Sequence, residues 1–128
     1  MRIEILSRIW IADKKHTKCH IKKRLYIHDY NFWEQDMNTF QTLLDKCTST
    51  IHKIAVHTLE PIILIDHDIH SHHTAYIIII AYILRYTDLT IQRALLSVQT
   101  KTLPFTLNSG ARNGLRIFYK KYRKKYLH

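Results

Sequence analysis

Hydrophobic and polar positions divide the 128-residue chain into short apolar runs and longer periodic stretches. Ile3 to Ile11 alternates imperfectly, as a half-buried strand does, and Arg24 to His28 reads as a second, shorter strand. After Asp36, a residue suited to capping, Met37, Phe40, Leu43, Leu44, Cys47, Ile51, Ile54 and Ala55 recur at helical spacing. Glu60 and Pro61 break that periodicity. Ile62, Ile63, Leu64 and Ile65 then follow without alternation, which predicts a central strand buried on both faces and ending at Asp66. Thr74 to Tyr86 is rich in β-branched residues, so propensity alone favours a strand. Its length exceeds a typical strand, and a strand, loop and helix unit accounts for its neighbours, so a helix is expected. Thr90 can cap a further helix through Ile91, Ala94, Leu95 and Val98. Leu103 to Gly110 is expected as a loop, and a basic helix over about residues 112–127 closes the chain. The order β, β, α, β, α, α, α predicts an α/β domain whose sheet is covered by helices.

The length bounds the chain to one small domain, and 46% hydrophobic with 23% charged residues is a globular composition. The longest apolar run, Ala75 to Leu84, falls well short of the roughly 20 residues a bilayer span needs. The N-terminus carries no signal-peptide pattern, so a cytoplasmic location is expected. Cys19 and Cys47 lack metal or redox spacing and read as ordinary reduced thiols. A net charge of +10 would suit a nucleic-acid or anionic-surface binder, and much of it is local. Arg112, Arg116, Lys120, Lys121, Arg123, Lys124 and Lys125 close the chain with no acid among them. On a helix, Leu115, Phe118, Tyr119, Tyr122 and Tyr126 fall close to one stripe and the basic residues take the rest. Two readings stay open: a solvated face, or a contact surface of Arg116, Lys120, Lys121, Arg123, Lys124 and Lys125 for an acidic partner, nucleic acid or anionic membrane. No zinc-finger spacing or RNP-type aromatic motif specifies sequence recognition.

The loop between the apolar strand and the apolar helix holds the candidate chemistry, because a helix N-terminus gathers N–H groups and the positive dipole end. Asp66, His67, Asp68, His70, His72 and His73 offer metal ligands there. Ligands so close in sequence rarely converge on one ion, and no metal or other cofactor is expected; a metal-dependent phosphohydrolase using this loop is the weaker alternative. Asp66-His67-Asp68 after four apolar residues also resembles the first motif of haloacid-dehalogenase-type phosphatases. That chemistry needs further carboxylates downstream, and Asp88 is the only acid after Asp68.

From the helix side, His67-Asp68-Ile69-His70-Ser71-His72-His73-Thr74-Ala75, followed by Ala81-Tyr82-Ile83-Leu84, resembles the signature of dual-specificity protein phosphatases, His-Cys-x-x-Gly-x-x-Arg-Ser running into a helix with Ala-Tyr-Leu-Met. Asp68 then stands at the nucleophilic Cys, Ser71 at the Gly and Thr74 at the Arg. Leu89-Thr90-Ile91 through Ala94 and Val98 matches the family's next helix, and Asn108-Ser109-Gly110 its Asn-x-Gly turn. Tyr26-Ile27-His28-Asp29 sits where the family places its general-acid Asp. Coverage is most of the chain after Leu25; between Ile11 and Tyr26 the segment is too short for the family's usual helix and additional strand. The resemblance implies a small, N-terminally trimmed phosphatase-like α/β domain with a mostly parallel central sheet.

The same resemblance denies the activity. The family needs a thiolate activated by the helix N-terminus, an Arg that holds the phosphoryl oxygens and an Asp that protonates the leaving group. No Cys occurs after Thr48 and no Arg between Arg24 and Arg85, so no shift of register restores them. A carboxylate at Asp68 would oppose a bound phosphate by on the order of several kcal/mol, and it is expected to occupy the anion cradle itself. The implied protein is an inactive phosphatase, with no small-molecule substrate, that acts by binding another protein. Trp10, Phe32 and Trp33 leave two readings open, a homodimer interface or a plain place in so small a core. An Ile-, Lys- and Tyr-rich composition with a trimmed phosphatase fold suits a large DNA virus, whose protein would lie in the host cytoplasm.

Overall fold

In the computed structural model the isoleucine-rich N-terminus folds back on itself, as β1 (Arg2–Leu6) and β2 (Ile9–Asp13). Residues 2–16, 18–27, 36–66, 73–102 and 105–123 are described. The single strand expected over Ile3 to Ile11 is therefore an antiparallel hairpin, with a register shift between Glu4 and Leu6. Its turn has no glycine: Arg8 takes the left-handed conformation at φ 67°, and its N–H donates to Glu4 Oε2 at 3.1 Å. Hairpin turns are usually announced by Gly or Asn, so this one left no signature.

A 3-10 turn at Lys14–His16 precedes β3 (Lys23–Ile27). Then come α1 (Met37–His57), β4 (Ile62–Asp66), α2 (Thr74–Tyr86), α3 (Ile91–Gln99) and α4 (Ser109–Arg123). The sheet order is β1-β2-β4-β3, with β4 parallel to both neighbours, so the sheet is mixed and mostly parallel. Asp36 caps α1 by accepting from the Thr39 N–H and Oγ1, both at 2.9 Å, and these bonds hold its carboxyl below the usual range. Thr90 caps α3 by accepting the Arg93 N–H at 3.2 Å. Asn108 Oδ1 accepts the Ala111 N–H at 2.8 Å, which starts α4 at Ser109, earlier than the expected 112.

Every residue of β4 is buried, and alternation explains why both of its faces had to be apolar. Ile62 and Leu64 join Ile9, Ile11 and Ile27 under the helices, while Ile63 and Ile65 pack with Ala12 and Ile21 on the opposite face. Trp10, one of the aromatics behind the homodimer reading, packs half-buried on that second cluster; Phe32 and Trp33 lie outside the described residues. Helix α2 is buried nearly all round, from Thr74 to Ala81 and again at Ile83 and Leu84, because α1, α3, α4 and β4 surround it. Burial of this kind overrides the β propensity of its isoleucines.

Where α1 and α4 meet, Gly114 lies against the Phe40 ring, and a Cβ there would stand 2.5 Å from its Cζ. The Gly114 carbonyl also accepts from Gln41 Nε2 at 2.9 Å. Phe40 is 1% exposed and has nowhere to retreat. Gly114→Ala is therefore expected to destabilise the fold by on the order of 1 kcal/mol net, overpacking of about 1–3 kcal/mol outweighing the ~1 kcal/mol helix gain. Denaturant unfolding of the single and double variants with Phe40→Leu checks it: the glycine substitution should cost less beside leucine, and a stabilised Gly114→Ala would contradict the packing described.

Candidate functional site

The C-terminal end of β4 and the N-terminal end of α2 bracket the loop singled out in the sequence. Asp66, the last strand residue, is 4% exposed, and its Oδ2 accepts the Ala75 N–H at 3.0 Å. A strand carboxylate thus satisfies one of the amides that open α2, under the positive end of the helix dipole. His73 precedes the helix in the left-handed conformation, φ 54°, and supplies no side-chain cap. Its ring lies 5.2 Å from that of Phe105, which in turn stacks on Tyr76 at 4.6 Å. Burial, and then the Asp66 carboxylate, push the Tyr76 hydroxyl up.

Asp13 on β2 pairs in register with Asp66. Ile9 and Ile11 face the helices, so by alternation Asp13 stands beside Asp66 on that same side. Asp13 Oδ1 accepts the Lys15 N–H at 3.1 Å. The carboxyl edge of the sheet therefore carries two neighbouring acids, one of them at the start of α2.

Thr74, the residue matched to the signature Arg, is the first residue of α2 and is 3% exposed. His67, Asp68 and Ser71 of the loop, Asp29 at the general-acid position, and Lys124 and Lys125 at the chain's end lie outside the described residues. Of the loop's metal-ligand candidates, Asp66 holds a helix amide and His73 packs on an aromatic ring. Among the described residues no group of three His, Cys, Asp or Glu side chains converges as for a metal ion.

No family profile and no curated protein matches the sequence. Solved structures match in shape. A leucine rich repeat and phosphatase domain containing protein from Entamoeba histolytica superposes with a TM-score of 0.80 at 18% identity, over 99% of this chain and 96% of that one. Human dual-specificity phosphatase 28 gives 0.78 at 10% identity, over 96% and 99%. The human tyrosine phosphatase-like serine/threonine/tyrosine-interacting protein gives 0.71 at 13%, over 99% and 98%. The chain has the dual-specificity phosphatase fold. Identities this low carry the fold and nothing finer.

Within that dual-specificity phosphatase fold, the basic residues of α4 do not form one free face. Lys121 pairs with Asp45 of α1, and the Tyr122 hydroxyl donates to the same carboxylate. Arg123 donates to the Leu89 carbonyl and lies 4.9 Å from the Tyr119 ring centroid. Arg116 and Lys120 remain exposed. Arg85 of α2 completes the α1 contact, donating to the Asp45 carbonyl and to Thr48 Oγ1, each at 3.0 Å, with its guanidinium 4.7 Å from the Tyr122 ring centroid. Burial and the Asp45 bond push the Tyr122 hydroxyl up to about 12. This tie between α1, α2 and α4 had no signal in the sequence, since its members lie far apart along the chain.

The role of Asp66 is likewise nonlocal; Asp68, expected in the anion cradle, lies outside the described residues. An acid ending an apolar strand was visible; its burial against the α2 amide was not. Removing the acceptor leaves a buried N–H unsatisfied, a cost of about 1–3 kcal/mol. Asp66→Ala is expected to lose that much in denaturant unfolding, and Asp66→Asn, which keeps an oxygen without the charge, to lose less. An Asp66→Ala variant within about 0.5 kcal/mol of wild type would show the carboxylate is not holding the helix.

Proposed function

We propose that the chain is a catalytically inactive phosphatase-like protein that acts by binding another protein. One observation carries this reading: the Asp66 carboxylate accepts the Ala75 N–H at the α2 N-terminus, where this fold's phosphate chemistry would need open donors. The sequence supports it from the other side, with no Cys after Thr48 and no Arg between Arg24 and Arg85. Cys47 is buried within α1, and burial pushes its thiol up to about 11, the reverse of what a nucleophilic thiolate requires. Cys19 packs on the sheet face away from the helices, with Arg24 donating to its Sγ at 3.9 Å. One structural neighbour, the human tyrosine phosphatase-like serine/threonine/tyrosine-interacting protein, agrees by its name with a binding role.

Turnover of 4-nitrophenyl phosphate, measured with magnesium, with zinc and with a chelator, is expected to stay at the buffer rate in all three conditions. Turnover that survives the chelator would refute the inactive reading, and turnover that depends on a divalent metal would favour a phosphohydrolase working through the His/Asp loop. Combining Asp68→Cys and Thr74→Arg with Asp66→Ala clears the carboxylate and restores the signature residues. That variant is expected to gain thermal stability on addition of phosphate, a gain the wild type lacks.

A further inference from the structure

The helix layer leaves a recess of about 130 Å³ between α2, α3 and α4, walled by Ile80, Ile91, Leu95, Leu107 and Leu115. Arg112 and Arg116 complete its lining. Both are exposed and lie one helical turn apart on α4, so their stems contribute to the wall while the guanidiniums reach solvent at the mouth. Neither has an ion-pair partner among the described residues. Helices α3 and α4 contain no acid at all. Ile80, at the middle of α2, separates the recess from the Asp66 and Thr74 end of the helix.

Size and lining limit what fits. A dry apolar cavity of about 150 Å³ holds one benzene-sized group, so this recess takes a single leucine or phenylalanine side chain. Single-stranded nucleic acid binds by stacking bases on aromatic side chains, and among the described residues no aromatic lines this recess. Two guanidiniums with no ion-pair partner among the described residues, beside an apolar socket, complement carboxylates flanking an apolar anchor.

We propose that the recess is a docking site for an acidic peptide segment of a partner protein, with one leucine or phenylalanine seated in the socket and neighbouring carboxylates on Arg112 and Arg116. This names the partner's chemistry for the binding role proposed above and rests on that reading. The socket supplies the affinity of one buried anchor, and the arginines select against basic and neutral segments.

Peptide display against the immobilised full chain tests it, followed by binding of a labelled synthetic copy of the recovered consensus. The consensus is expected to hold Leu or Phe flanked by Asp and Glu. Reversing both charges, Arg112→Glu with Arg116→Glu, is expected to weaken the peptide by about tenfold or more. Both positions are exposed, and a carboxylate at 112 sits in the first turn of α4, where it favours the helix, so the fold is retained; circular dichroism verifies this. A selection without acidic bias, or a consensus whose affinity survives the reversal, overturns the site while leaving the binding role standing. Stronger binding of a single-stranded oligonucleotide, lost in the same variant, overturns it in favour of nucleic acid. Aryl phosphate turnover by the wild type overturns the binding role itself.

Discussion

A carboxylate on the last residue of the most enclosed strand accepts an amide from the first turn of the most enclosed helix. That bond from Asp66 to Ala75 joins β4, buried on both faces, to α2, buried nearly all round. Asp66 and Ala75 are both buried, and a buried helix amide left without an acceptor is costly, so the carboxylate supports the start of the helix. An anion under the helix dipole meets that need, and here the chain supplies its own. An internal acid thus supplies, at this helix end, the negative charge that a helix N-terminus favours.

The surrounding packing follows from enclosing α2. Helix α1 approaches α4 closely enough that position 114 admits only hydrogen beside Phe40, and Arg85 and Tyr122 tie α2 and α4 to α1 through Asp45, the first at its carbonyl and the second at its carboxylate. On that flank Lys121 is committed to Asp45. On the other flank, where α3 is short and Asn108 opens α4, the layer does not close, and the apolar socket with its two arginines remains. The same basic helix therefore serves as structural brace on one side and carries exposed arginines on the other.

Much of this was legible in the sequence. The limits of β4 and α2, and the caps at Asp36 and Thr90, follow from apolar periodicity and from side chains that accept helix amides, both local signals. What escaped was either unsignalled or nonlocal. The β1–β2 hairpin turns at Arg8 without the glycine that would announce it. The partners of Asp66, Asp45 and Arg123 lie on other elements, so composition suggested a uniform basic face on α4 where the fold divides it. Thr74 begins α2 and Asp66, at the end of the strand, holds the Ala75 amide; Asp68, expected in the anion cradle, lies outside the described residues.

Amide hydrogen exchange at Ala75, in phosphate-free buffer and again with added inorganic phosphate, measures the central claim directly. A resident carboxylate predicts that this amide is strongly protected without any anion in solution, that phosphate leaves its rate unchanged, and that Asp66→Ala abolishes the protection. Rapid exchange in the wild type that slows only when phosphate is added would contradict the account, because it would show an open anion site waiting for its ligand.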